Sequence, residues 1–144
     1  MPWYISPYIL AIAISWLMAH IIKLMIALVR GNARDFYHQL FISGGMPSSH
    51  TATSVSVWWL LVLHEGVQSP VVGLATLLIL IVCYDAVKVR RSSGEQGVAV
   101  QQIIQKERLD IPLPRAAQGH TPLEVCVGAV LGTAVALIVF FATR

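Results

Sequence analysis

Four stretches of this chain carry so much aliphatic and aromatic surface, and so little charge, that water is a poor solvent for them. They run over about residues 3–29, 51–68, 71–87 and 122–142, interrupted mainly by His20 and Lys23 in the first and by Asp85 near the end of the third. A helix that crosses the hydrocarbon layer needs about 20 mostly apolar residues, within a range of about 17–25. The second stretch, whose apolar part is Thr51–His64, is short by that measure and fits either a crossing or a re-entrant segment. No period-two alternation competes with these helices, and there is no internal repeat. The expected fold is therefore all-α: a polytopic membrane bundle of about four transmembrane helices, forming a single domain over residues 1–144.

Composition agrees. Only 12% of the residues are charged and 56% are hydrophobic, whereas a soluble domain carries about 25% charged residues. The first stretch lacks a positively charged segment ahead of a short apolar core, so it reads as a mature membrane segment rather than a cleaved signal. Cys83 and Cys126 both sit inside apolar runs and read as small buried hydrophobes, not as a disulfide or a metal pair. The net charge of +3 is modest, and no nucleic-acid partner is expected.

With four crossings, the segments 30–50 and 88–120 lie on one side of the membrane, and the turn EGVQSP (65–70) lies on the other with both termini. Nine of the ten Lys and Arg fall on the first side, counting Lys23, and only Arg144 opposes them. The positive-inside rule makes that side cytoplasmic. Setting aside Lys23, Arg30, Arg90 and Arg91 as candidates for chemistry still leaves five cations there. Within residues 88–120, VAVQQIIQKERL (98–109) places Val100, Ile103 and Ile104 among polar neighbours. It suits a short helix in the headgroup layer or an ordinary solvated one.

Three polar constellations collect on the cytoplasmic side. Lys23 and Arg30 are seven residues apart, about two helical turns, so they can share a face. They either snorkel to the headgroups or grip an anion together. In GGMPSSHTATS (44–54), Ser48 or Ser49 suits an N-cap, and Gly44 and Gly45 permit a close backbone approach. A helix N-terminus of this kind favours an anion, and His50 in its first turn can donate a proton to a departing oxygen. A capped helix with an incidental histidine is the plainer alternative.

The third constellation is GHTPLEVCVGAVLG (119–132), where Thr121-Pro122-Leu123-Glu124 has the form of a capping box with proline at the first helical position. Capping leaves His120 unexplained. If Glu124 also hydrogen-bonds His120, it fixes the tautomer and raises the basicity of an imidazole able to attack phosphorus. Gly128 and Gly132 form a G-x-x-x-G pair suited to close helix packing. Between these blocks, YDAVKVRRSSGEQ clusters Asp85, Lys88, Arg90 and Arg91. An arginine here either holds phosphate oxygens in a bidentate fork or anchors the membrane side, with Asp85 paired to a neighbouring cation. No HExxH or Cys/His metal-ligand spacing occurs, and no cofactor is expected. Metal-free phosphoryl transfer, which rests mostly on positioning and charge stabilisation, matches the whole set.

Lys23-(x6)-Arg30, then Pro47-Ser48-Ser49-His50, then His120-(x3)-Glu124 followed by Gly128 resembles the type 2 phosphatidic acid phosphatase superfamily, over about residues 20–135. SGGMPSSHTAT, YDAVKVRRSSGEQ and GHTPLEVCVGAVLG look most like its small divergent branch of bacterial and plastid membrane proteins. The resemblance implies that Lys23, Arg30, Ser48 and Ser49 bind phosphate and that His120 is the nucleophile that becomes phosphohistidine. It also implies that His50 protonates the leaving alcohol and that Glu124 orients His120. Four positions depart from the superfamily pattern. Gly31 stands for a proline, Ser49 for a glycine and Glu124 for an aspartate, and Pro114 occupies the place of an arginine. Arg90 or Arg91 is the expected substitute for that arginine.

The function implied is a metal-independent lipid phosphatase of the bacterial plasma membrane, with its site on the cytoplasmic side and a membrane lipid as substrate. Phosphatidylglycerophosphate and phosphatidic acid are the leading candidates. A non-catalytic phospholipid-phosphate binding protein or flippase, and a polyprenyl diphosphate phosphatase, are the rivals. With four spans rather than the superfamily's usual six, the chain looks like a minimal core that self-association, as a homo-oligomer, would complete.

Overall fold

The computed structural model describes residues 5–29, 45–114, 116 and 119–144. Five α-helices form among them: α1 (Pro7–Val29), α2 (Ser49–Glu65), α3 (Pro70–Tyr84), α4 (Arg90–Lys106) and α5 (Pro122–Ala142). A π turn, Asp85–Val89, joins α3 to α4 without interrupting the helix. No strand occurs among the described residues.

Local chemistry sets the boundaries. Ser48 caps α2, its side chain accepting from Thr51 N–H, and Gly66 ends that helix at φ 79°, a left-handed conformation that costs glycine little. Ser69 caps α3 with Pro70 directly inside it, and Thr121 caps α5 with Pro122 in the same place. Proline fits there because its missing N–H would have had no helical partner.

Three helical segments are long and apolar enough to cross a bilayer: Pro7–Val29, Pro70–Lys106 and Pro122–Ala142. α2 has 17 residues, about 26 Å at 1.5 Å per residue, and it packs between α1, α3 and α5. The third apolar stretch ends near residue 87, but the helix built on it does not. That helix runs on to Lys106, making 37 residues in all. At about 55 Å that helix exceeds a hydrocarbon layer of about 30 Å, so its polar α4 half must leave the membrane. The segment 98–109 is therefore mostly the continuation of a long helix, not a separate short one.

One face of α1 is a row of small residues, Ala11, Ser15, Ala19 and Ala27, with Lys23 completing the four-residue spacing; all five are buried. Away from the site, Leu60, Val135, Ala136, Val139 and Phe140 close the core around Ala11. Two indole N–H groups bond across helices, Trp58 to Thr76 Oγ1 at 2.8 Å and Trp59 to Thr133 Oγ1 at 2.9 Å. Both groups would otherwise go unsatisfied in hydrocarbon. Outward-facing Ile9, Leu17, Leu74, Leu80, Val130 and Ile138 are exposed, the pattern of a protein whose solvent is lipid. The chain is an integral membrane protein. Both cysteines are free, and Cys126 is exposed on α5 rather than buried as its apolar surroundings had implied.

Candidate active site

Two helix N-termini meet at one end of the bundle. Ser48 N–H donates to the Glu124 carbonyl at 3.1 Å, tying the start of α2 to the start of α5. The G-x-x-x-G pair permits this contact. A Cβ on Gly128 would lie 2.6 Å from the Ser48 carbonyl oxygen, and one on Gly132 would collide with the Ala52 carbonyl. Backbone-to-backbone packing thus sets His50 and His120, each at a helix start, on adjoining elements. The partial positive charge at both termini favours an anion between them.

His120 is 3% exposed. Its Nδ1 lies 3.2 Å from Glu124 Oε2, and that oxygen also accepts the Thr121 N–H at 3.0 Å. Thr121 Oγ1 in turn accepts the Glu124 N–H at 3.3 Å, so capping and imidazole orientation coexist in one carboxylate. An ionised carboxylate only accepts. Nδ1 therefore carries the proton, and Nε2 is left with the lone pair. Burial holds the imidazole below the usual histidine range; the Glu124 hydrogen bond opposes that shift and the charges of Lys23 and Arg90 reinforce it. At neutral pH His120 is accordingly uncharged.

The backbone of His120 is pinned as well, its N–H donating to the Ala86 carbonyl in the π turn at 2.9 Å. Gly119 makes that approach possible, since a Cβ there would lie 2.5 Å from Arg91 N and 2.7 Å from Arg91 Cα. Residues about thirty positions apart in sequence are thereby joined. Arg90 pairs with Asp85, Nε to Oδ2 at 2.6 Å, and its charge bears on both His50 and His120. Arg91 pairs with Glu95 at 3.2 Å on the exposed flank of α4.

The remaining sequence candidates divide. Lys23 is 8% exposed, so it does not snorkel outward; its charge acts on His50, His120 and Glu124. The groups that act electrostatically on His50 are Arg90, His120, Lys23 and Asp85, and His50 itself is exposed. Ser49 is 5% exposed at the first position of α2. Ser48 is wholly buried; its hydroxyl accepts from Thr51 Oγ1 at 3.0 Å and its backbone bonds Glu124 and Ala52. Its placement is that of a fastener between α2 and α5. Gly45 has φ 77°, while Gly44 and Arg30 lie outside the described residues. A cavity of about 590 Å³ opens beside His120, with Arg91, Glu95 and Val98 on its α4 side. Among the described residues, no three His, Cys, Asp or Glu side chains gather in a way that could hold a metal ion.

Sequence reading did not find the π turn or the Ala86 carbonyl. Neither has a residue-type signature, because both act through backbone. The pairing of Asp85 with a nearby cation was legible, though not which of three cations it takes.

A family model described as the divergent PAP2 family matches residues 5–135. The uncharacterized membrane protein YuiD of Bacillus subtilis (strain 168) is 27% identical over 142 residues, covering 87% of this chain and 88% of that protein. No solved structure matches the chain significantly.

Proposed function

The chain belongs to the divergent PAP2 family, and we propose that it is a membrane lipid phosphatase that hydrolyses a phosphate monoester or diphosphate without a metal. The observation that carries this reading is the buried His120, held by Glu124 at 3.2 Å on a helix start that is tied to the one bearing His50. Nε2 of His120 attacks phosphorus, the bond to the lipid oxygen breaks, and His50 gives that oxygen its proton. Water then attacks the phosphohistidine, His50 takes the proton from the water, and the N–P bond breaks to release phosphate. Lys23, Arg90 and the α2 N-terminus at Ser49 hold the phosphoryl oxygens, Arg30 joins them as the resemblance implies, and Ser48 keeps the backbone of that cradle in place. Arg91 lies at the rim of the cavity beside His120.

The excess of Lys and Arg on the site's side of the chain supports a site that faces the cytoplasm, and on this reading the membrane is a bacterial plasma membrane. That sidedness favours a phospholipid-synthesis intermediate such as phosphatidylglycerophosphate or phosphatidic acid over a polyprenyl diphosphate of the outer face. A second reading, a phosphate-lipid binding protein or flippase without turnover, draws on Pro114 in the place of the motif arginine.

The test is phosphate release by purified protein in detergent across a panel of lipid phosphates, with acid-labile, base-stable labelling from radiolabelled substrate. Label at His120 together with turnover in chelator is expected. Turnover that survives His120→Ala, or that needs a divalent cation, overturns the mechanism, whereas binding without label points to the second reading.

A further inference from the structure

Asp85 and Arg90 are five residues apart, which on an α-helix would set them about 140° apart around the axis. In the π turn the Arg90 N–H instead bonds the Asp85 carbonyl, the i to i−5 closure that stacks those two residues on one face. Arg90 Nε donates to Asp85 Oδ2 at 2.6 Å, with both side chains 37% exposed. This engagement uses the Nε hydrogen and leaves the Nη groups of the guanidinium as the fork for a ligand. The next carbonyl in the turn, that of Ala86, accepts the His120 N–H. One turn of backbone therefore holds both the paired arginine and the main chain of His120.

We propose that Asp85 is a positioning residue: through the π turn it aims the Nη face of Arg90 at a phosphate group lying between His50 and His120. Only the identity of that anion as substrate phosphate rests on the lipid-phosphatase reading. The adjacent Arg91 engages Glu95 through its own Nε at 3.2 Å, but as an exposed i to i+4 pair outside the π turn, so Asp85 has no hold on it. The device needs no proton transfer by Asp85. It fixes where a cation points.

The experiment is titration of the detergent-purified chain with orthovanadate and inorganic phosphate, with thermal unfolding read alongside. Arg90→Ala is expected to weaken binding about 10- to 100-fold, the scale of one charged hydrogen-bonding partner. Asp85→Asn should weaken it several-fold, Asp85→Glu should recover most of that loss, and Asp85→Asn in the Arg90→Ala background should add nothing. Wild-type affinity in Asp85→Asn overturns the proposal. So does a double variant several-fold weaker than Arg90→Ala. Where Asp85→Asn does not fold, Arg90→Lys, which keeps the charge but loses the Nε bond to Asp85, takes its place, and wild-type affinity there overturns the proposal. This pattern of anion binding without turnover or phosphohistidine would remove the enzyme reading and leave the positioning role standing. Turnover indifferent to Asp85→Asn would do the reverse, and absence of anion binding by the wild-type chain overturns both.

Discussion

Glu124 Oε2 is shared between His120 Nδ1, at 3.2 Å, and the Thr121 N–H, at 3.0 Å. A single oxygen thus finishes the N-terminus of α5 and fixes the imidazole in front of it. The sequence suggested the cap directly and the bond to His120 as a further task for the same carboxylate. The two are compatible because the capping carboxylate at the third helical position reaches back to the N–H of the N-cap Thr121 and to the residue before it.

The two tasks separate by mutation. Thr121→Ala removes the hydroxyl that accepts the Glu124 N–H, and should cost about 1 kcal/mol of stability while changing turnover no more than a few-fold. Glu124→Gln keeps an acceptor for the cap and removes the charge. It should hold thermal stability near wild type while lowering turnover up to about 10⁴-fold, the scale seen when the carboxylate that fixes a catalytic histidine's tautomer is made an amide. Unfolding curves and initial rates on the same preparations decide this.

Acid should affect His120 in a defined direction. Its folded-state pKa lies below the ordinary value of about 6.5, so the native state resists protonation that the unfolded chain accepts. The stability linked to this group is complete above about pH 6.5 and is lost as pH falls toward the lowered folded value. Wild type should therefore lose more stability than His120→Gln between pH 7.5 and 5. The acid limb of turnover, which needs neutral Nε2, should fall below pH 6.5.

Packing at the G-x-x-x-G pair should be intolerant. Gly132→Ala drives a methyl group into the Ala52 carbonyl, and α5 can accommodate it only by moving off α2. A cost of about 1–3 kcal/mol is expected, together with weaker phosphate binding, since the two helix starts separate. Gly73→Ala, where a Cβ meets nothing within 4 Å, is the control that should change neither.

Lys23→Met should dissociate stability from binding. Lys23 is buried in a row of small residues on α1, where a charge is costly to desolvate and an apolar side chain of similar volume is tolerated or favoured. The variant is expected to melt at or above the wild-type temperature while binding phosphate about tenfold or more weakly.

Arg90 and Arg91 differ in their surroundings. Arg90 is held at 2.6 Å by Asp85 in the π turn and its charge acts on both histidines, whereas Arg91 pairs with Glu95 on an exposed flank. Arg91→Ala should therefore reduce lipid-phosphate turnover several-fold at most, through the cavity rim, whereas Arg90→Ala should remove nearly all of it.

What the sequence alone determined is whatever depends on composition and short spacing. The apolar runs dictated a membrane helix bundle. Thr121-Pro122-Leu123-Glu124 dictated a capped helix start, and Gly128 with Gly132 dictated a close contact, because each is a local rule acting within about one turn. The end of the third helix escaped that reasoning, since hydropathy reports where lipid ends and says nothing about where helical hydrogen bonding ends. Tertiary structure decided which partner α5 approaches so closely, that Lys23 faces inward, and that Arg90 pairs with Asp85 while Arg91 pairs with Glu95. Those outcomes turn on backbone groups: the Ser48 and Ala52 carbonyls against two glycines, the Ala86 carbonyl on His120, and an i to i−5 hydrogen bond at Asp85. Every residue carries such groups, so no letter of the sequence marks them, and only folding selects which ones meet.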